Sequence, residues 1–281
     1  MSIFHACDIR GIAGQNLTDI MVLRIGRAVG VKLAGCKVVV GGDIRLSSPG
    51  FVRIMIDALV DSGCEVIDIG IVATPVFYYA LQITGATGGV MVTASHNPGH
   101  YNGFKLVLGP QPVTEEDVQE IGAMVASNAR VRGQGRVIKQ QMVEKYVAAT
   151  SAKAVPNGMS VVVDAGNGAT ARIAPALFRA AGYEVTELYC DPDGTFPNRL
   201  PNPALAENLA DLGKAVIQAG ARLGVAFDGD GDRVGFVDEL GQPVDNDDII
   251  VLLARHYLEQ EKGTVIYDAK CSMVVPEEIA K

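Results

Sequence analysis

The run Gly88-Gly89-Val90-Met91-Val92-Thr93-Ala94-Ser95-His96-Asn97-Pro98 joins an apolar segment to a polar turn. Its β-branched residues predict a short buried strand over residues 90–93. Pro98 disfavours helical geometry in the residue before it, so the chain turns there. Ser95 then lies at the C-terminal end of a strand, where open α/β sheets bind ligands, and its hydroxyl can act as a nucleophile beside His96. The alternative is an ordinary turn, in which Ser95 bonds the backbone and His96 is solvated.

Strands and helices alternate in the chain before this run. Apolar residues at helical spacing predict helices over residues 17–34, from a cap at Ser48 to residue 62, and from a cap at Thr74 to about residue 83. Apolar runs predict strands between them, over residues 36–40 and 65–69. This order implies right-handed crossovers and a mainly parallel sheet.

The chain reverses after Pro98. Asn102-Gly103 is a tight-turn signal, and the apolar residues 104–108 predict a strand that returns along the edge of the sheet. Lys105 on this strand would then lie near the Ser95 turn. The alternative for Lys105 is an edge-strand lysine that discourages aggregation.

A second strand–helix cycle starts after a polar break. Residues 128–135 contain two glycines and two arginines and predict a linker, and residues 140–149 predict a connecting helix. Strand patterning resumes at Met159, and strands are predicted over residues 161–164, 183–190 and 223–227. Helices are predicted between them, one ending near residue 181 and one over residues 205–219. This restart predicts a second domain.

Three carboxylates alternate with glycines at the end of the last of these strands: Asp228, Asp230 and Asp232. They repel one another unless a cation holds them, and the glycines let the backbone fold so that all three face one ion. Ligand sets made only of oxygen favour Mg²⁺ or Ca²⁺. Arg233 beside such a cation suits a phosphoryl group, and Ser95 is a hydroxyl that can carry one.

A calcium-binding EF-hand is one competing class for the aspartates. Its ligands would be the three aspartates and Glu239, but its sixth position has to be glycine and is Arg233 here. The segments on both sides also have strand rather than helix patterning. A plain structural loop with solvated aspartates is the remaining alternative.

An NAD-binding oxidoreductase is a competing class for another loop. Gly166-Asn167-Gly168-Ala169-Thr170-Ala171 follows a strand and matches a short dinucleotide fingerprint, with Gly166 and Gly168 as the binding glycines. Pro175 interrupts the following helix early, and no second strand ends in an acidic residue at the right distance. These two features count against a dinucleotide site.

Composition restricts the partners and the compartment. The formal net charge of the 281 residues is −8, which disfavours nucleic acid and anionic membranes as general partners but allows an anionic small molecule. No basic, apolar leader and no membrane-length apolar run is present, so we expect no membrane association. A reducing cytoplasm fits the odd number of widely spaced cysteines, which are Cys7, Cys36, Cys64, Cys190 and Cys271.

These motifs resemble those of the α-D-phosphohexomutase family, the phosphomannomutase/phosphoglucomutase family. The matching segments, in chain order, are Asp8-Ile9-Arg10-Gly11, Thr93-Ala94-Ser95-His96-Asn97-Pro98, Asn102-Gly103-Phe104-Lys105 and Asp228-Gly229-Asp230-Gly231-Asp232-Arg233. The resemblance implies that Ser95 is a phosphoserine and that one of its oxygens binds Mg²⁺ together with the three aspartates. It also implies catalytic roles for Arg10 and Arg233 as basic residues, and for Lys105 and His96 in proton transfer.

The resemblance implies a reaction as well. Phosphoserine would give its phosphoryl group to a hexose monophosphate, and the bound hexose 1,6-bisphosphate would return the other one. Glucose or mannose 1-phosphate would thus interconvert with the 6-phosphate, and phosphoglucosamine mutase is the alternative within the family. This assignment predicts an isomerase that acts as an intramolecular phosphotransferase.

The resemblance also implies a domain organisation. We expect two successive three-layer α/β/α domains with mixed, mainly parallel sheets, over residues 1–141 and 142–243, and the start of a third domain over residues 244–281. Because sugar-gripping loops lie later in the family's pattern, we expect little mutase activity from this stretch alone. Self-association is expected through apolar residues of the third part, which are Val265, Ile266, Met273 and Val274.

Overall fold

Two β-sheets organise the structure, a computed structural model that describes residues 2–6 and 8–280. Cys7, one of the five cysteines, lies outside the described residues. The strands of the first sheet are β1 Ile9–Ile12, β2 Lys37–Gly42, β3 Glu65–Ile71, β4 Gly88–Val92, β5 Tyr101–Val107 and β6 Arg136–Lys139. Their spatial order is β1–β5–β4–β2–β3–β6. β4, β2, β3 and β6 run parallel, and β1 and β5 pair antiparallel at one side, so the predicted mixed, mainly parallel sheet is confirmed.

Helices cover both faces of this sheet. They are α1 Asp19–Lys32, α2 Ser48–Asp61, α3 Thr74–Thr84, α4 Glu115–Ala126 and α5 Val143–Ser151. Successive side chains of a strand point to opposite faces. Accordingly Val38 and Val40 of β2 pack with α1, α2 and α4, whereas Val39 packs with α3 and α5. The result is three layers with a core on each side of the sheet.

The second sheet repeats this plan on a smaller scale. Its strands are β7 Ser160–Asp164, β8 Glu184–Leu188, β9 Leu223–Phe227, β10 Val234–Asp238 and β11 Pro243–Val244, in the spatial order β11–β10–β9–β7–β8. Val161 and Val163 of β7 pack towards α6 Ala174–Ala180, and Val162 packs towards α7 Ala210–Ala219. Among the described residues, no strand of one sheet pairs with a strand of the other.

Two predicted helix caps were wrong. Helix α2 already includes Ser48, with Ser47 at the N-cap position, and α3 includes Thr74, with Ala73 at the N-cap position. The reason lies in other hydrogen bonds of the two hydroxyls, one to a carboxylate five positions earlier and one to a carboxylate of the second sheet's loop. Ser48 Oγ donates to Asp43 at 2.6 Å and Thr74 Oγ1 donates to Asp230 at 2.6 Å, so neither caps its own helix.

The segments between the two sheets also differ in detail from the prediction. Residues 128–135 form no regular element, but β6 follows at once and pairs with β3, which extends the first sheet. Helix α5 begins at Val143 instead of residue 140. Pro175 does not interrupt a helix but stands in the first turn of α6, where its missing N–H costs no hydrogen bond.

The last part of the described chain contains two helices, α8 Asn246–Gln260 and α9 Val274–Ile279. They pack against each other around Val251, Ala254 and Val275. None of the described helices combines the length and the apolar character needed to cross a membrane. The proposed domain boundaries after residues 141 and 243 stay a prediction.

Candidate active site

Ser95 lies in a buried turn directly after β4, within the segment that we call the Ser95 loop (residues 93–101). Its backbone is left-handed, with φ of 50°, and its N–H donates to Thr93 Oγ1 at 2.9 Å. Its hydroxyl donates to Asp228 Oδ2 at 2.7 Å, although the two residues are 133 positions apart. The turn thus aims the Ser95 side chain at the second sheet.

The three aspartates lie on the connection between β9 and β10, which we call the aspartate loop (residues 228–233). Asp228 Oδ1 accepts hydrogen bonds from the backbone N–H of Gly231 at 2.9 Å and of Arg233 at 3.1 Å, so the loop folds around this carboxylate. A β-carbon on Gly229 would lie 2.5 Å from the Ser95 carbonyl oxygen. Only glycine allows the two loops to approach this closely.

The carboxylates converge as a metal site requires. One oxygen from each of Asp228, Asp230 and Asp232 lies within 4.8 Å of the others. Asp230 Oδ1 is buried and has no hydrogen-bond partner among the described atoms, which is costly unless a ligand binds it. The residues present therefore fit a hard divalent cation that prefers oxygen ligands.

Proton affinities in the cluster reflect burial and charge. Burial, aided by the neighbouring Asp230, raises the pKa of Asp228 to about 7. Burial also acts to raise the pKa of Asp230. The positive charge of Lys105 and the hydrogen bonds from Lys105 and Thr74 outweigh burial, so the pKa of Asp230 is lowered. The carboxylates thus differ in charge state near neutral pH, and a bound cation would favour the ionised form of both.

Lys105 and Thr74 complete the surroundings of Asp230. Lys105 Nζ donates to Asp230 Oδ2 at 2.7 Å and also forms an ion pair with Asp232. Burial works against its charge, but the two carboxylates prevail and raise the pKa of Lys105. β5 brings Lys105 to this position because it runs antiparallel beside β4, as the sequence predicted. The predicted edge position was wrong, because β1 pairs with the other side of β5, and Lys105 is therefore not an edge-strand lysine.

Basic side chains line the open side of the site. Arg10 Nη1 donates to Asn97 Oδ1 at 2.7 Å and pairs with Asp8, whereas Arg233 Nη1 lies 2.8 Å from His96 Nδ1. His96 Nδ1 lies 3.4 Å from Ser95 Oγ. Burial and the nearby arginines lower the pKa of His96, which favours the neutral imidazole.

One cleft of about 430 Å³ gathers the predicted residues. Its lining includes Arg10, Ser95, Lys105, Asp232 and Arg233, and the buried Asp228 and Asp230 bond to Ser95 and Lys105 behind it. The ends of β4 and β9 supply these groups together with β1, which carries Arg10, and the antiparallel β5, which carries Lys105. All eight residues predicted for the site are therefore brought into one neighbourhood.

Sequence reasoning missed three buried polar residues: Asp43, Arg45 and Thr74. Asp43 and Arg45 follow β2, which neighbours β4, and Asp43 Oδ2 accepts from Thr93 Oγ1 at 2.8 Å. The polar stretch after a strand in the same sheet was the available signal. Thr74 gave no such signal, because its partner Asp230 is 156 positions away.

The EF-hand alternative was wrong. β9 and β10 flank the aspartate loop and pair antiparallel, from Phe227 opposite Val234 to Leu223 opposite Asp238. An EF-hand needs a helix on each side of its loop. The aspartates therefore belong to a β-hairpin.

The glycine loop after β7 does not have the form of a dinucleotide site. A β-carbon on Gly166 would lie 2.7 Å from the Arg199 guanidinium, which fills the space above the loop and pairs with Asp164 at 2.7 Å. The small residue thus makes room for a side chain of the protein itself. This explains the fingerprint without NAD.

A hydroxyl, a carboxylate cluster and arginines at the C-terminal ends of sheet strands are typical of α/β proteins that transfer phosphoryl groups. Sequence models of "Phosphoglucomutase/phosphomannomutase, alpha/beta/alpha domain I" and "domain II" match residues 1–132 and 140–241. The chain belongs to the phosphoglucomutase/phosphomannomutase family.

Individual relatives agree with this assignment. A phosphomannomutase/phosphoglucomutase of Pseudomonas putida is 42% identical over 276 residues, covering 96% of this chain and 60% of the relative. A phosphoglucomutase of Neisseria meningitidis serogroup B is 38% identical over 280 residues, covering 97% and 61%. The crystal structure of a phosphoglucomutase/phosphomannomutase family protein from Burkholderia thailandensis aligns with a TM-score of 0.94 at 37% identity, covering 99% of this chain and 64% of that one. The chain thus spans about 60% of the length of the curated relatives.

Proposed function

We propose that this chain carries the phosphoryl-transfer centre of a phosphohexomutase, with Ser95 as the phosphoryl carrier. The reaction is the interconversion of hexose 1-phosphate and hexose 6-phosphate, for glucose, mannose or both, through a bound hexose 1,6-bisphosphate. One observation carries the proposal: the Ser95 hydroxyl donates at 2.7 Å to Asp228 within the carboxylate cluster. Family membership and the names of the relatives support the choice of substrate class.

Asp228, Asp230 and Asp232 would hold Mg²⁺ together with an oxygen of phosphorylated Ser95. When bound, the cation supplies positive charge that offsets the charge of the transferring phosphoryl group. The unpartnered Asp230 Oδ1 supports this ligand set. Arg233 and Arg10, which stand at the mouth of the site, would bind phosphate oxygens through their guanidinium forks.

The chemical step exchanges one P–O bond for another. The bond between phosphorus and the Ser95 oxygen breaks as a sugar hydroxyl oxygen bonds to phosphorus, and the hydroxyl proton passes to a base. Lys105 is the base we propose. Its ion pairs keep it protonated in the absence of a cation, and a cation on the same carboxylates would weaken those pairs and lower its pKa.

His96 is proposed as the second proton-transfer group. Its Nδ1 lies 3.4 Å from Ser95 Oγ, and its neutral form can take a proton from that hydroxyl. In the return step Ser95 is the acceptor of the phosphoryl group, so its own proton has to leave. Arg233 beside His96 disfavours a full positive charge there, so His96 would pass this proton on to solvent, while the departing sugar oxygen would take a proton from Lys105. In the forward step the freed Ser95 oxygen would gain its proton by the same route through His96.

Ser95 labelling tests the proposal. The chain is incubated with glucose 1,6-bisphosphate and Mg²⁺, and intact-mass spectrometry follows the gain of one phosphate beside a Ser95→Ala control. We expect phosphate on the wild-type chain and none on the variant. The experiment measures one labelling event and not steady-state turnover, because residues 1–281 span only 60% of a full-length relative and we expect little turnover from them. Equal labelling of the two proteins, or of neither, would contradict the proposal.

A further inference from the structure

Arg45 is a fully buried cation beneath the Ser95 loop. Its Nε pairs with Asp43 at 2.9 Å, and the other four N–H groups of its guanidinium reach carbonyl oxygens of one loop. These acceptors are Ser95 at 2.7 Å, Asn97 at 2.7 Å, Pro98 at 2.6 Å and Tyr101 at 3.1 Å. All five donors of Arg45 are therefore used, and most of them hold the loop that bears the carrier hydroxyl.

Phe196 reaches Arg45 from the second sheet's side of the molecule. Its ring centroid lies 5.1 Å from the Arg45 guanidinium carbon, a distance at which a ring face attracts a cation. Phe196 is buried and has a left-handed φ of 52°, which is unfavourable for a residue with a side chain. The surrounding loop holds it there, since Phe196 N–H donates to Asp193 O at 3.0 Å and Asp193 N–H donates to Asn167 O at 2.9 Å.

The Phe196 ring also lies beside both loops of the site. A β-carbon on Gly99 of the Ser95 loop would lie 3.5 Å from Phe196 Cδ2, and one on Gly229 of the aspartate loop would lie 3.3 Å from Phe196 Cζ. The ring therefore stands where the Ser95 loop, the aspartate loop and Arg45 meet.

We propose that Arg45 and Phe196 are a positioning pair that aligns the Ser95 loop with the aspartate loop, so that a phosphate on Ser95 and the three aspartates share one cation. The proposal rests on the proposed function, since it concerns the same carrier and metal site. Neither residue lines the cleft of about 430 Å³, so the pair acts through Ser95 and the aspartates instead of through the substrate.

Charge and shape explain why these two residue types are needed. A lysine has a single ammonium group and cannot reach four carbonyl oxygens and a carboxylate in the planar arrangement of Arg45. A leucine can fill much of the volume of Phe196 but has no ring face for the cation. Either change should loosen the alignment of the two loops while leaving both sets of metal ligands in the chain.

The test measures how much phosphorylation of Ser95 tightens Mg²⁺ binding. Phosphoserine is installed at position 95 during translation, and calorimetry gives the Mg²⁺ dissociation constants of the phosphorylated and unphosphorylated chains. Their ratio is the readout. It depends on where the phosphate lies relative to the aspartates and needs no sugar.

We expect a large ratio in the wild-type chain and at least a roughly three-fold smaller one in Phe196→Leu and Arg45→Lys, in line with coupling between groups in contact. Phe196→Tyr keeps the ring and should keep the wild-type ratio. Phe178→Leu makes the same chemical change at a partly buried site that packs against Val161 and Val163 of β7. It should therefore lower the melting temperature without changing the ratio. If Arg45→Lys does not fold, the Phe196 variants still decide the matter.

Two results would overturn the inference in different ways. A wild-type ratio of one would mean that phosphoserine and the aspartates share no cation, and the proposed function would fail together with the pair. A large wild-type ratio that persists in Phe196→Leu would leave the proposed function intact and refute the positioning pair alone.

Discussion

At the scale of single residues, the ionisation of Asp228 links the site to stability. Burial, aided by Asp230, raises the pKa of Asp228 from 3.8 to about 7. The folded chain therefore binds a proton that the unfolded chain releases within this window. Since stability falls with pH wherever the folded state binds more protons, the ionisation of Asp228 takes stability from the metal-free chain as the pH rises from about 4 to about 7.

We predict that Asp228→Asn, which cannot ionise, removes this loss. In the presence of a chelator, the variant should unfold at a higher temperature than the wild type at about pH 8, and the gain should shrink towards about pH 4. Asp230, whose pKa is lowered, has the opposite dependence in both proteins. Differential scanning calorimetry over this range makes the measurement.

Asp57→Asn is the matched control for this prediction. Asp57 is exposed on α2, and its replacement should leave the unfolding temperature almost unchanged at every pH. A gain in Asp228→Asn that is independent of pH would mean that Asp228 is already ionised at acid pH, and would contradict the raised pKa.

At the scale of elements, the crossing of α1 and α2 depends on a small residue of α1, Gly30. A β-carbon on Gly30 would lie 2.1 Å from Ser62 Oγ and 2.6 Å from Ser62 Cβ, so the helices are in contact there. Gly50, in the first turns of α2, has open space where a β-carbon would be. The two glycines thus stand in similar backbone but in opposite surroundings.

We predict opposite effects of the same substitution at these sites. Gly50→Ala should stabilise the fold by about 0.5–1 kcal/mol, because alanine loses less backbone entropy in a helix. Gly30→Ala should destabilise it by about 1–3 kcal/mol, because the added methyl group forces the helices apart. Urea unfolding of the two variants measures both changes, and a stabilising Gly30→Ala would show that α1 and α2 do not pack as described.

The N-terminal ends of α2 and α3 show how far a capping signal in the sequence predicts structure. Ser-Pro and Thr-Pro at residues 48–49 and 74–75 indicated the starts of α2 and α3 to within one residue. The pattern could not show that both hydroxyls donate to carboxylates, Ser48 to one five positions away and Thr74 to one 156 positions away. Capping signals describe local geometry, whereas Asp230 reaches Thr74 only in the folded chain.

At the scale of the whole molecule, the α8–α9 region has much exposed apolar surface. Leu253 and Tyr257 lie one turn apart on α8 and are 51% and 67% exposed, and Ile266 in the connection to α9 is 93% exposed. Exposed apolar residues that adjoin one another mark contact surfaces. Of the four apolar residues expected at this surface, Ile266 and Met273 are exposed, whereas Val265 and Val274 are half-buried.

We predict that residues 1–281 studied by themselves associate as their concentration rises, with this region in the contact. Leu253→Glu with Tyr257→Glu should shift the chain towards the monomer, because burial of two carboxylates opposes association. Sedimentation velocity at several concentrations gives the distribution of species. Ile20→Glu, at an apolar residue of α1 that is 69% exposed, is the control, and an equal shift from it would argue against the α8–α9 region.

Much of the fold and the chemistry was accessible from the sequence, because the signals are local. Apolar, β-branched runs indicated both sheets, and the Ser95 turn and the three aspartates were recognised from residue types at short spacing. β6 escaped detection because its two apolar residues, Val137 and Ile138, stand between Arg136 and Lys139, so its apolar run is too short to indicate a strand.

The arrangement of the site depended on contacts between distant parts of the chain. Ser95 and Asp228 are 133 positions apart, and Thr74 and Asp230 are 156 apart, so no local pattern could pair them. The same holds for Arg45 and Phe196, which meet because the two sheets place their loops against each other. Local sequence sets which groups a turn can present, but packing of whole elements sets which groups share a charge, a hydrogen bond or a cation.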